Sequence, residues 1–188
     1  MKSYAKGMKN KQIYLYVDGY NIINAWPNLY KLSNDVDLDS AREELIDIMK
    51  EYQNLSGEQV YVVFDAYLVK GGMSIEEKRD NLTVVYTKEH ESADRYIERK
   101  VNDMKKHDKM YVASNDGMIQ RIILSRGGIR ISANELWKNY LTLKENLRRS
   151  KLRKRKQSTE NIVTIDDEIY QQLEKLQDEI KKQGSVAK

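Results

Sequence analysis

The sequence predicts an α/β fold in which an open, mostly parallel sheet carries helices on both faces. Three observations point there. Short apolar runs alternate with amphipathic stretches, three of those runs stop at an aspartate, and 188 residues suffice for one such domain with appendages.

The first strand is Ile13 to Val17, a β-prone run halted by Asp18-Gly19. From Leu38 the apolar residues Leu38, Ala41, Leu45, Ile48, Met49 and Tyr52 recur at three and four, the stripe of an amphipathic helix that Ser56-Gly57 ends. Val60 to Phe64 is a second strand, stopping at Asp65, and Leu82 to Tyr86 a third. Glu91 to His107 reads as a helix with Ile97, Val101 and Met104 on one face. Met110 to Ala113 is a fourth strand, halted by Ser114-Asn115-Asp116-Gly117. Ile119, Ile122 and Ile123 mark a short helix, Gly127-Gly128 breaks it, and Ile129 to Ile131 adds a fifth strand. Ser132 with Glu135 forms a capping box that opens a long helix presenting Leu136, Tyr140, Leu143 and Leu147. Beyond it a polar linker, Gln157 to Asn161, leads to an amphipathic segment from Asp166 to Lys182.

Charge divides the chain in the same way. The formal net charge is +4, but residues 1–12 carry +4, Arg148 to Lys156 carry +7, residues 157–188 carry −3, and the body at 13–147 is left with about −4. The expected organisation is therefore a basic extension at 1–12, a catalytic domain at 13–147, and a basic helix with an amphipathic tail at 148–188. An acidic body with basic extensions suits a site that holds cations while its periphery holds a polyanion. With no cysteine there are no disulfides, no thiolate metal sites and no thiol nucleophile. No window approaches the roughly 18 apolar residues of a membrane span. The expectation is a cytoplasmic protein without a membrane partner.

The acidic residues carry the chemistry. Asp18, Asp65 and Asp116 each follow a strand, and in an open parallel sheet all carboxyl ends lie on one edge, where such folds bind ligands. Asp94 precedes Ile97 by three residues and Val101 by seven, so it shares the packed face of its helix but sits in the first turn. The helix's amino end stabilises negative charge there, and Glu91, one turn earlier, is placed to join it. Carboxylates pressed together repel one another and protonate unless a cation relieves them. Oxygen ligands alone favour Mg²⁺ or Mn²⁺ over zinc, and such ions promote phosphodiester hydrolysis without a protein nucleophile. Taken singly, Asp18, Asp65 or Asp116 reads equally well as a turn former or helix cap. Asn21 reads equally as a helix cap or as the residue that holds Asp18 and a water.

Other classes find less support. His90 and His107 share no metal-ligand spacing, no serine is framed as a nucleophile elbow, and Lys70-Gly71-Gly72 lacks the Walker spacing, so no nucleotide cofactor is expected. Lys70 could meet RNA, although a plain turn is the stronger reading of the loop. Tyr20 and Trp26 could stack on bases, with a core role the stronger reading for Trp26.

These residues resemble a known family. Val17-Asp18-Gly19-Tyr20-Asn21-Ile22-Ile23 is similar to the opening motif of NYN domains. Val62-Val63-Phe64-Asp65-Ala66 with Leu68-Val69-Lys70-Gly71 resembles the YacP-like branch. Thr87-Lys88-Glu89 leading to Glu91-Ser92-Ala93-Asp94, and Ala113-Ser114-Asn115-Asp116, resemble its third and fourth motifs, with Asn115 where a serine is expected. The resemblance implies a PIN-like fold and divalent-metal RNA cleavage, with Asp18 and Asp94 as principal catalytic aspartates and Asp65 and Asp116 in support. It also implies association with the ribosomal A site and cleavage of translated mRNA. Arg148, Arg149, Lys151, Arg153, Lys154, Arg155 and Lys156 would then neutralise phosphates of messenger or ribosomal RNA. Two alternatives stay open. One is a non-catalytic RNA- or ribosome-binding protein working through the basic helix. The other is a phosphatase with an aspartyl nucleophile, against which Tyr20 stands where an Asp-x-Asp pair needs its second aspartate.

Overall fold

The computed structural model describes residues 12–65, 74–105, 108–125 and 127–154. All five expected strands are there. They run as β1 (Ile13–Asp18), β2 (Gln59–Phe64), β4 (Leu82–Tyr86), β5 (Lys109–Ala113) and β6 (Ile129–Ile131), and a further strand, β3 (Ile75–Arg79), joins them. The spatial order is β3-β4-β2-β1-β5-β6. Every pairing is parallel except that of β3 with β4. β1 lies at the centre, with Asp18 opposite Val63 on one side and Val17 opposite Ala113 on the other. The chain leaves β1 towards β2 and returns by β5 on the opposite flank, which makes the carboxyl end of β1 the switch point of the sheet.

β3 escapes a reading by apolar runs because it has almost none. Its Glu76, Glu77, Lys78 and Arg79 belong to a charged edge strand, which discourages pairing with another chain. Asp80 makes the tight turn into β4 at φ +57, a left-handed conformation that aspartate tolerates.

Between β1 and β2 stand α1 (Gly19–Ala25), α2 (Pro27–Asp35) and α3 (Leu38–Ser56). The first two were not expected, being too short to show a stripe. Pro27 opens α2 at a position where its missing N–H is not needed. Asp37 caps α3 by accepting the Ser40 N–H at 2.6 Å, and Gly57 closes it at φ +73.

The helix expected over 91–107 is shorter. α4 spans Ala93–Asn102, with Ser92 as its cap, so Glu91 lies outside it and Met104 beyond its end. His90, at φ +65, turns the chain before the helix begins. α5 covers Gly117–Ser125 as expected. The capping box also stands, with the Glu135 carboxylate accepting from the Ser132 hydroxyl at 2.6 Å and from its N–H at 2.7 Å. Residues 133–143 are helical and complete the first of two compact units, which divide after Leu143.

Alternation along the strands feeds two cores. Leu15, Val17, Val62 and Phe64 face α1, α3 and the residues Leu136 and Tyr140, whereas Tyr16, Val63, Val85 and Val112 face Tyr96, Ile97 and Val101 of α4. Helices therefore cover both faces, and the α/β class expected from the sequence holds. Burying each large aliphatic side chain stabilises by about 1.5–3 kcal/mol, enough in sum to carry an electrostatically costly edge.

In the second unit, residues 144–154 are helical. Glu145 pairs with Arg149 at 3.0 Å and with Arg148 at 3.9 Å. Lys70, His107, Arg155, Lys156 and the amphipathic segment 166–182 lie outside the described residues.

Candidate active site

Asp18 is at once the last residue of β1 and the cap of α1, so no turn separates strand from helix. Its Oδ1 accepts the Asn21 N–H at 3.2 Å. Its Oδ2 accepts the Ser114 hydroxyl at 3.5 Å, and the same hydroxyl oxygen accepts the Asp116 N–H at 3.1 Å. Gly19 follows because nothing larger fits. A Cβ there would lie 2.2 Å from the ring of Phe64.

The loop after β5 is latched to α1. Asn115 donates its N–H to the Asn21 side-chain oxygen at 2.8 Å, and its own side-chain oxygen accepts the Ala133 N–H at 3.0 Å. Asn21 thus straps α1 to the loop after β5, a role sequence left undivided between cap and water holder. Ser114, buried at 2 % exposure, was missed as a site residue. Its signal was present in the string Ser114-Asn115-Asp116, where a polar residue separates the strand from its aspartate.

Asp65 follows β2, and its carboxylate accepts the Ala93 N–H at the start of α4. Asp94 is in the first turn of that helix. The two elements are thereby tied, and their carboxylates share one field. Asp18, only 8 % exposed, has its pKa pushed up to about 7 by burial, with repulsion from Asp94 and Asp65 adding to it while the Asn21 and Ser114 hydrogen bonds oppose it. Asp94 is pushed up to about 6 by burial and then by Asp116 and Asp65. Four aspartates from separate parts of the chain therefore act on one another at the carboxyl edge.

Glu91 does not join Asp94 on the helix face. Lying before the cap, it pairs with Arg99 at 2.8 Å, and its other carboxylate oxygen is buried with no hydrogen-bond partner among the described residues. Trp26 is core, 2 % exposed, with its indole N–H donated to the Ala133 carbonyl at 2.9 Å, so it is not a base-stacking platform. Tyr20 is half-buried, and its hydroxyl accepts from Arg42 at 3.1 Å. His90 is exposed.

Among the described residues no three acidic or histidine side chains already enclose an ion-sized space. The donor set still fits a hard divalent cation. All its ligand atoms are oxygens, and the mutual repulsion that lifts Asp18 and Asp94 is what a bound cation would relieve. No helix among the described residues is long and apolar enough to cross a membrane.

Residues 15–178 match the family model described as the YacP-like NYN domain. The protein YacP of Bacillus subtilis is 36% identical over 164 residues, covering 86% of this chain and 94% of its own. The crystal structure of Rae1 (YacP) from Bacillus subtilis superposes with a TM-score of 0.64 at 34% identity, covering 87% of this chain and 94% of that one. A single-substitution variant of it gives the same TM-score at 35% identity, over 73% and 80%.

Proposed function

Since the chain belongs to the YacP-like NYN domain family, which is of nuclease type and has the NYN/PIN-like α/β fold, we propose that it is a metal-dependent endoribonuclease cutting mRNA on the translating ribosome. The observation that carries this reading is the shared field of Asp18 and Asp94, two carboxylates held above their ordinary pKa by burial and by each other's neighbours. Asp18 and Asp94 would be the principal ligands for Mg²⁺ or Mn²⁺, with Asp65 and Asp116 in support. When bound, the ion supplies charge neutralisation at the phosphate and an activated water.

The chain's own residues do the rest. Ser114 and Asn21 fix the Asp18 carboxylate by two hydrogen bonds, and Asp65 seats the amino end of α4 so that Asp94 keeps its place. Asp18 is largely shielded from solvent. Asn21 acts as a positioning residue through its strap to Asn115. Glu91, engaged by Arg99, is left out of the ligand set. Lys70 and the basic residues from Arg148 to Lys156 would hold RNA phosphates, and a cytoplasmic, ribosome-associated role in mRNA decay follows from that reading.

The test is cleavage of a labelled messenger by the purified full chain, with and without translating ribosomes. Cutting is expected only with Mg²⁺ or Mn²⁺ present, and Asp94→Asn should lower it about 10²–10⁴-fold, the scale of a lost catalytic group. Undiminished cutting by that variant would remove the proposed site. Free RNA cut as readily as ribosome-bound messenger would keep the nuclease and discard its coupling to translation.

A second reading, a non-catalytic RNA-binding protein, draws on the cationic helical residues 144–154. It requires the acidic edge to be dispensable. Neutralising the basic run would then abolish function while Asp18→Asn leaves it intact.

A further inference from the structure

Beside the aspartates lies a second constellation that the cleavage chemistry does not use. Phe64, fully buried, carries Tyr20 against one side with ring centroids 5.2 Å apart and Tyr86 against another at 5.9 Å. Both tyrosines keep part of their surface in solvent. Arg42 of α3 donates from Nη1 to the Tyr20 hydroxyl at 3.1 Å, and its charge acts on Tyr86 together with those of Glu77, Arg79 and Glu43. The backbone between Asp18 and Tyr20 is pressed onto the Phe64 ring at Gly19, so the carboxylate and this aromatic wall are held at a fixed spacing.

Arg42 differs from its neighbour Arg79 in what holds it. Arg79 is engaged at 2.8 Å by both carboxylate oxygens of Glu43 and by Glu77 at 3.4 Å. Among the described residues Arg42 pairs with one carboxylate, that of Asp39, whose side chain is 77% exposed, and an ion pair with so exposed a partner is weak in water. A guanidinium offers five N–H donors, more than the Tyr20 hydroxyl and one carboxylate take up, and its planar fork matches a phosphate. An acidic edge repels RNA, so a strand reaching it needs a cation at the rim to hold its backbone.

We infer that Tyr20, Tyr86 and Arg42 form a nucleotide subsite, the tyrosines receiving one base of a single RNA strand by stacking and Arg42 receiving the phosphate attached to it. Stacking accepts any base, so the subsite gives grip without sequence choice. The inference rests on the nuclease reading for the substrate class, and the experiment separates the two.

The probe is a fluorescein-labelled, unstructured ten-nucleotide RNA, titrated with the full chain by fluorescence anisotropy over a range of salt without divalent ions. Arg42→Ala should weaken binding about tenfold and reduce the slope of log affinity against log salt by about 0.7, the share of one phosphate contact on a single strand. Tyr20→Phe, which keeps the ring and loses only the hydroxyl that holds Arg42, should weaken it two- to threefold. Lys109→Ala removes one charge at the amino end of β5, the far end of the sheet, and should change nothing. Arg42→Gln, nearer in size, repeats the measurement should Arg42→Ala lose its fold by circular dichroism. Wild-type affinity in the Arg42 variants, or an equal loss in Lys109→Ala, overturns the subsite. Arg42-dependent binding by a wild-type chain that cuts no messenger with Mg²⁺ or Mn²⁺ added, whether or not translating ribosomes are present, would sustain the subsite and overturn the nuclease reading. Cutting with no dependence on Arg42 would do the reverse.

Discussion

The two ends of the sheet are built on opposite principles. At the amino ends of the strands, a hollow of about 980 Å³ is lined by residues that include Gln12, Gln53, Asn54, Gln59 and Asn81. Amides answer backbone and other amides there. Gln53 accepts the Val60 N–H at 2.8 Å, Gln59 donates to the Asn81 carbonyl at 3.3 Å, and Asn81 donates to Asn54 at 3.4 Å. At the carboxyl ends, four aspartates are held against their mutual repulsion. What sets the carboxyl end apart is that carboxylates from four parts of the chain act on one another there, a repulsion that protonation or a bound cation relieves.

The sharpest way to break that comparison is to titrate the two ends. Asp18 has a folded-state pKa raised from 3.8 to about 7, and Asp94 one raised to about 6. Between the unfolded and folded values the native state binds more protons than the unfolded chain, so stability should fall as pH rises from about 4 to 7 and level off above. In metal-free buffer Asp18→Asn should accordingly stabilise the protein at pH 8 by on the order of 2 kcal/mol, with the gain shrinking as pH drops towards 4. Urea denaturation at a series of pH values reads this directly. A constant difference across the range would mean that Asp18 is not held against its charge.

Next in size is Gly19→Ala. The added methyl meets the buried Phe64 ring, and overpacking of this kind costs about 1–3 kcal/mol. Because the same step displaces Asp18 and Tyr20, activity should fall further than stability. An alanine variant as active as wild type at a temperature where both are folded would show that the spacing is not critical.

Smallest is the matching change at the amino end. Gln53→Ala leaves the buried Val60 N–H without its acceptor, a loss of about 1 kcal/mol or somewhat more in chemical denaturation. RNA cleavage should be unchanged. A cleavage defect in folded Gln53→Ala would erase the division of labour between the two ends.

Much of this architecture was legible because it is written in periodicity. β1, β2, β4, β5 and β6, the α3 stripe and the Ser132–Glu135 box are each local patterns whose physics needs no partner. β3 was hidden because an edge strand is selected for charge, and α1 and α2 because helices of 7 and 9 residues are too short to show a stripe. The overextension of α4 has a cause too. Glu91 and Met104 fit the helical phase, but His90 in a left-handed turn, Ser92 as cap and Asp103 as C-cap set the real limits. The convergence of the aspartates was inferred from three strand ends and, for Asp94, from the phase of its helix. The hydroxyl of Ser114, the Asn21 to Asn115 strap and the Tyr20 to Arg42 contact join residues up to 96 positions apart, and no local pattern in a single sequence reveals such pairs.

Whether Asp18 and Asp94 together hold a divalent cation can be read by isothermal titration of the full chain with MnCl₂ near pH 7. Saturable binding accompanied by proton release is expected, because carboxylates with raised pKa must shed protons to coordinate. Asp18→Asn and Asp94→Asn should each weaken that binding at least about tenfold. Uptake of Mn²⁺ by both variants with the affinity and proton release of the wild type would contradict a site shared by the two aspartates.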